Sequence, residues 1–500
     1  MAMNVTANLG AIETAESFDV CIIGSGFAGT VLGKSLVERG VRTLILESGG
    51  GLTRWMLDKR LKDLAAYTVS GDADYPTERT KARALGGNSN FWTGRCERLH
   101  PSDLERQPYT PGDNPWPLTY EELDPYYERA EQTLRVRGNS LSEYTPPRRK
   151  GLPIGARNDI SSLKAMLAEV GVTVDDSPTA TPRRALRFFR LPQELFSSFL
   201  SRPNALLVSG ATVTRLLADE DRHIIGAQVQ TLRGLTKAVR ARYYVVASGG
   251  IETPRLLQLS RSSMFPEGIG NAYDRVGRGF TEHPGVNFYA KIRHNRHTIV
   301  PRHKVGRSHQ FYDKFRCDGL GSVLPVFIQS WIFPHHLMRI KLSAVPSKAG
   351  AMLRRLVRPT LYIGATVEMV PHDGNRVTLG TRKDVFGNPL AHLHFSYTEE
   401  DRRTLDRTRQ LIVEIFERFG AEDIEEAEVT WSRHHIGTCR MGDNPKTSVT
   451  DGNLRVHDCQ NLFLCGSETF VTGGAVPPVL TIVALAHRLA DHLVDRLRQG

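Results

Sequence analysis

Apolar and polar positions along the chain change period in an order that suggests two interleaved units. Residues 18–50, FDVCIIGSGFAGTVLGKSLVERGVRTLILESGG, read as an apolar strand, a glycine turn, an amphipathic helix and a second apolar strand ending in an acid. Two or three alternating strands follow in residues 204–240, and then a buried strand, YYVVASGG, turns at Gly249 and Gly250 into a helix with Pro254 in its first turn. Residues 365–397 read as antiparallel strands. The segment TEEDRRTLDRTRQLIVEIFERFG predicts a helix with Leu405, Leu411, Ile412, Ile415 and Phe416 on its apolar side. A last helix is predicted in VPPVLTIVALAHRLADHLV, and another after Thr119, which forms a capping box with Glu122; Pro125 lies near that helix's start or at a kink.

The glycines in these turns carry chemistry. In the first unit, Gly24 suits a tight turn, Gly26 lets a pyrophosphate approach the backbone, and Gly29 lets the helix close on the strand. Glu47, 23 residues after Gly24, stands where a carboxylate accepts hydrogen bonds from a ribose. This is a Rossmann-like dinucleotide fold, and it does not choose between FAD and NAD. The run Gly86, Gly87, Asn88, Ser89, Asn90 suits a loop around a planar or phosphorylated ligand, with Phe91 and Trp92 against something flat. In residues 431–482, a histidine pair, His434 and His435, precedes a small-residue run that opens the last helix. Unpaired N–H groups at a helix start stabilise negative charge, and a histidine nearby can handle a proton.

Composition narrows the class. The chain has 500 residues, 40% hydrophobic and 24% charged, enough for two domains sharing a large core. Six cysteines without a CxxC pair argue against a disulfide scaffold or zinc module, and His434, His435 and Cys439 lack a fourth ligand at a usual spacing, so no metal is expected. The net charge of +11 is spread along the chain without a nucleic-acid motif, so no nucleic-acid partner is expected. The densest basic stretch, residues 334–359, has six Lys or Arg and no acid, and reads as a solvated insertion or an amphipathic face. With no apolar h-region and no membrane-span-length run, the chain reads as cytoplasmic, behind a flexible leader of about fifteen residues.

Taken together, GSGFAG with Glu47, GGNSNFWTG, WPLTYEELDPYYERA, ASGGIETPRLLQLS, VGRGFTEHPG, HHIGTCRMG and NLFLCGSETF resemble the glucose-methanol-choline (GMC) flavoprotein oxidoreductases over nearly the full length, nearest the branch of pyranose oxidases and bacterial sugar dehydrogenases. The resemblance implies an α/β, overall α+β, p-hydroxybenzoate-hydroxylase-like architecture. A discontinuous FAD-binding domain would take residues 15–105, 195–285 and 430–498, and a substrate domain with an antiparallel sheet residues 106–194 and 286–429. It implies FAD as cofactor, a sugar, glycoside or other hydroxylated small molecule as substrate, and dioxygen or another electron acceptor. It makes His434 the base that takes the hydroxyl proton as hydride leaves for flavin N5, with His435 the less certain partner. It adds Val213, Gly466, Pro477 and Pro478 to the cofactor contacts.

Two positions depart from the family pattern. Phe91 stands where covalently flavinylated members carry a histidine, so FAD is expected to be non-covalent. Pro477 stands where relatives carry a second catalytic asparagine or histidine. Proline offers no side-chain donor or acceptor. Either His434 works without that partner, or the pocket supplies one from elsewhere, or the chemistry is unusual: a lyase or a natural-product tailoring step. Oligomeric state is not legible.

Overall fold

In a computed structural model of the chain, the described residues are 9–12, 17–77, 80–109, 115–138, 142–154, 159–181, 191–291, 304–330 and 360–499. The first unit forms as expected: β1 (Ser17–Ile23), α1 (Phe27–Val37) and β2 (Thr43–Glu47). β1 lies between β2 and the last residues of strand Thr236–Val246, parallel to both, so its apolar residues are covered on two faces. A seven-stranded sheet grows from this core, with Ala205–Ser209 beyond β2, Leu462–Leu464 beside Thr236–Val246, and Ile224–Gln230 and Thr212–Ala218 joined antiparallel to the other end of that long strand. Its burial follows its partners: residues 244–246 are buried in succession, while the antiparallel half alternates with exposed positions. Ile23, Glu47 and Val246 all end on one edge, the crevice at the carboxyl ends of parallel strands where α/β folds bind ligands.

The C-terminal helix Val479–Gln499 packs against α1 and against Tyr120–Leu134. His487 ties the three together, meeting Ser35 Oγ at 3.1 Å and Thr133 Oγ1 at 2.9 Å. The capping box of Thr119 and Glu122 is present, and Pro125 lies within the helix it starts, one turn in.

A six-stranded sheet, Glu422–Trp431, Pro284–Lys291, Thr360–Val367, Val323–Ser330, Lys304–Arg307 and Asp175–Asp176, is antiparallel throughout. The helix Glu399–Arg418, capped by Thr398 and Asp401, buries Leu405, Leu411, Ile412, Ile415 and Phe416 in the core shared with this sheet. The hairpin Arg376–Lys383 and Pro389–His394 takes Tyr67–Ser70 as a parallel third strand. It therefore joins segments that the sequence divides between two domains. The division into cofactor and substrate domains remains our proposal.

Two expectations change. The leader is not all free: Leu9 and Ile12 are buried in the core beside Phe18. Pro254 falls in the second turn of its helix, Gly249–Leu259, rather than the first. A proline there removes the hydrogen bond that Gly250 C=O would accept. Thr438 Oγ1 donates to that carbonyl instead, at 2.8 Å, from a chain segment far off in sequence. The basic segment 334–359 lies outside the described residues.

Candidate active site

The glycine positions of the first turn divide by geometry. Gly24 has φ +108°, and a Cβ there would lie 2.4 Å from the Ala247 carbonyl oxygen. On Gly29 a Cβ would come within 2.1 Å of Gly24 O, so that glycine closes helix on strand. A Cβ on Gly26 would meet nothing nearer than Gly86 O at 4.0 Å, leaving the backbone open to the crevice at the N-terminus of α1. Glu47 ends β2 beside it. Its carboxylate accepts from Ser25 Oγ at 2.5 Å and from the N–H groups of Ser25 and Gly49, while burial pushes its pKa up.

Residues 86–91 wrap the crevice, but the side chains of their asparagines bond back to backbone nearby in the chain. Asn88 accepts from Ala82 N–H and donates to Thr80 O; Asn90 donates to Leu85 O and Gly87 O. The amide N–H groups of both side chains are thus engaged in holding the loop's shape. Next to the loop, Lys81, Arg83 and Arg255 surround Glu252. Burial alone would raise the Glu252 pKa, but the three cations outweigh it and hold the carboxyl well below its usual range.

A cavity of about 580 Å³ connects these parts. Its lining includes Gly24, Gly26, Glu47, Gly87, Asn88, Phe91, Val213, Gly466, Pro477 and Pro478, and at its other end His434 and His435. Gly29, Gly86 and Asn90 stand behind the lining. The volume is ordinary for a small-molecule site. Among the described residues no group of three or more His, Cys, Asp or Glu could hold a metal ion.

The two histidines are held differently. His435 Nε2 meets Tyr75 OH at 2.9 Å inside an aromatic cluster of Tyr75, Phe280, Phe395 and Trp431, and burial together with Lys81 brings its pKa down to about 3. His434 Nδ1 meets His283 Nδ1 at 2.9 Å, and its Nε2 makes no hydrogen bond with the described residues. Burial, reinforced by His283, His435, Arg95 and Arg307, holds the His434 pKa well below the ordinary histidine value. His283 is fully buried and brought down to about 4 by that burial.

Two neutral rings facing each other through Nδ1 need one proton between them. If His434 carries it, His434 Nε2 is a free acceptor, and His283 holds its own proton on Nε2, on the side where the Gly474 backbone favours the protonated ring. That tautomer is the one a base requires. His283 stands behind His434 and does not line the cavity, so it orients the ring without replacing the donor missing at Pro477.

The loop carrying His434 is pinned by Glu282, whose carboxyl accepts the N–H groups of Ser432 (3.0 Å) and His434. Burial raises the Glu282 pKa to about 8 against those hydrogen bonds. Replacing Glu282 with Ala strands buried donors at about 1–3 kcal/mol each. We expect a loss of about 2–4 kcal/mol in denaturant unfolding, with flavin content falling less than turnover.

Glu282 and His283 both lie in VGRGFTEHPG, a stretch that carries the resemblance but assigns neither residue a role: their roles depend on the strand Pro284–Lys291 delivering them to a loop some 150 residues later.

Comparison with known proteins gives a consistent picture. Sequence profiles described as GMC oxidoreductase match residues 18–285 and 371–486. The chain is 25% identical to the fructose dehydrogenase large subunit of Gluconobacter japonicus, over 97% of this chain and 99% of that protein. It is 26% identical to paromamine 6'-oxidase of Streptomyces fradiae, over 96% and 92% respectively, and 26% identical to C-glycoside 3-oxidase of Microbacterium trichothecenolyticum, over 87% and 79%. Formate oxidase of Aspergillus oryzae RIB40 shares the fold, with TM-score 0.66 at 19% identity, covering 97% of this chain and all of that one. Pyridoxine 4-oxidase from Mesorbium loti superposes with TM-score 0.65 at 19% identity, over 95% and 99%.

Proposed function

Because the chain belongs to the GMC oxidoreductase family, we propose that it oxidises a CH–OH group of a sugar, glycoside or other polyhydroxylated small molecule, with FAD as cofactor and His434 as base. One observation carries this reading: a half-buried, neutral histidine with a free Nε2 lies in the same cavity as a glycine cradle for a dinucleotide. The cradle fits the group, since Gly26 leaves the α1 N-terminus open for a pyrophosphate and Glu47 is placed to accept from a ribose. FAD, when bound, supplies the two-electron acceptor for the hydride leaving the substrate carbon. The chain's own residues do the rest. His434 Nε2 takes the hydroxyl proton, His283 holds the ring, and Glu282 fixes the loop. His435, engaged with Tyr75, packs and does not exchange protons.

The fructose dehydrogenase, paromamine 6'-oxidase and C-glycoside 3-oxidase named above act on a sugar, an aminoglycoside and a glycoside by their names, which supports the substrate class. Dioxygen or another acceptor takes the electrons. The buried, unpaired thiols of Cys21, Cys96, Cys439, Cys459 and Cys465 support a reducing, cytoplasmic location. No helix among the described residues is long and apolar enough to cross a membrane.

Phe91 lines the cavity with its ring against Trp55 and beneath Arg433, and offers no nucleophile. Acid precipitation is therefore expected to leave yellow flavin in the supernatant; flavin retained in the pellet would contradict dissociable FAD. Pro477 keeps a second reading in play, in which the bound flavin performs no net oxidation. Anaerobic mixing with a panel of sugars, glycosides, polyols and aromatic alcohols separates the two. Bleaching of the flavin by a turned-over substrate supports oxidation, and product formation without bleaching overturns it. Recolouring on admission of air then tells an oxidase from a dehydrogenase.

A further inference from the structure

The wall beside His434 holds more positive charge than proton transfer needs. Arg95 lines the cavity, and its guanidinium makes no hydrogen bond or ion pair with any described residue. Its charge acts on His434, on Arg307 and on Tyr362, which puts it between the base and the six-stranded sheet. Arg433 lines the same end, exposed, with its guanidinium 5.6 Å above the Phe91 ring. Its backbone has φ +64°, a left-handed conformation that a non-glycine residue keeps only where its surroundings impose it. Behind them Arg307, 1% exposed, stands 3.1 Å from Glu97, which balances it.

Among the described residues no acid pairs with Arg95, and the charge of Arg433 reaches Glu282, a buried carboxyl whose pKa burial raises to about 8. Of the carboxylates lining the cavity, Glu252 is paired with Lys81, Arg83 and Arg255, and Asp384 with Arg255. Glu47 is engaged by Ser25 and Gly49, and the guanidinium that reaches it is Arg83, not Arg95. Glu468 lies with Gly466 and Thr253, and Glu282 is taken up by the His434 loop. A dinucleotide pyrophosphate has its own place at the α1 N-terminus. Arg95 thus faces the space beside His434 without a counter-ion among the described residues, Arg433 lies next to it, and guanidinium pairs best with planar or tetrahedral oxyanions.

Resting on the oxidation reading above, we propose that the substrate is an anionic alcohol: a polyol bearing a carboxylate or phosphate that Arg95 binds and Arg433 covers, leaving its reacting hydroxyl at His434. The same two charges give Pro477 a functional counterpart. A substrate oriented by an ion pair depends less on a second hydrogen-bonding side chain at the helix start.

The test uses the oxidised, FAD-loaded full-length enzyme and three probes with one carbon skeleton: gluconate, sorbitol 6-phosphate and sorbitol. Binding is read from the flavin visible spectrum, and turnover from anaerobic bleaching. At least one anion is expected to bind about tenfold or more tightly than sorbitol, and the better one identifies the group. Arg95→Gln and Arg433→Gln should each remove most of that preference while leaving sorbitol binding within about twofold, and Arg95→Lys should restore part of it. Equal response to the three probes, or none, overturns the proposal. So does an Arg95→Gln variant that weakens sorbitol and anions alike, which would assign Arg95 to the cofactor. If Arg95→Gln loses its flavin, Arg433→Gln and Arg95→Lys decide the question. An anion preference without bleaching by any alcohol keeps the anion site and removes the oxidation reading; bleaching by neutral polyols without anion preference does the reverse.

Discussion

His434→Ala is expected to lower kcat by about 100- to 10,000-fold while the protein keeps its flavin, because the residue loses a proton acceptor and not a cofactor contact. The geometry behind this number is a ring fixed on one side by His283 at 2.9 Å and carried on a loop pinned by Glu282. A base held in one orientation contributes more than one that must find it. The pH profile follows from the direction of its pKa. Burial, His283, His435, Arg95 and Arg307 all disfavour the imidazolium, so the ring stays neutral as pH falls through 6.5. The acid limb of kcat/KM should therefore lie well below that value, and a limb centred near 6.5 would show that the titrating base is another group. Stopped-flow flavin reduction from pH 4.5 to 8 measures both. Turnover by His434→Ala close to wild type would remove His434 from the chemistry.

Gly24→Ala is expected to yield a protein largely stripped of flavin and less stable by about 2–6 kcal/mol. The position holds φ +108°, which costs an alanine about 1–3 kcal/mol. Its new Cβ would also lie 2.4 Å from the Ala247 carbonyl, and backbone directly after a central strand cannot step aside without moving the turn that receives the pyrophosphate. Gly40→Ala separates the two causes. It has φ +84° but nothing within 4 Å of a Cβ, so it should carry the conformational penalty alone and keep its flavin. Flavin-to-protein ratio and thermal midpoint of the two variants decide this. Full flavin content in Gly24→Ala would mean that the first turn tolerates displacement.

Local pattern was enough for the elements whose reasons are local. The β1–α1–β2 unit, the capping box at Thr119 and the amphipathic helix Glu399–Arg418 follow from period, glycine placement and capping chemistry within one stretch of chain. The residues the chain marks in the same way, Gly24, Gly26, Glu47 and His434, all line one cavity. What stayed hidden depends on distant partners. His283 is an ordinary histidine until its strand brings it behind His434. Asn88 and Asn90 look like ligand donors in sequence, yet the nearest carbonyls available to them belong to their own loop. Arg95 is distinguished only by lacking a counter-ion among the described residues, which no single stretch of sequence reveals.

The hydrogen bond from Thr438 Oγ1 to Gly250 O also bears on how the chain is made. Pro254 leaves that carbonyl unpaired, and its partner emerges from the ribosome 184 residues after the proline. The strand Leu462–Leu464, which covers Thr236–Val246, arrives later still. The nucleotide turn is thus encoded early and finished late, and nascent chains ending before residue 438 should present a helix whose first turn frays. Flavin capture is therefore expected only near the close of synthesis, once the loop that carries His434 has completed the cavity.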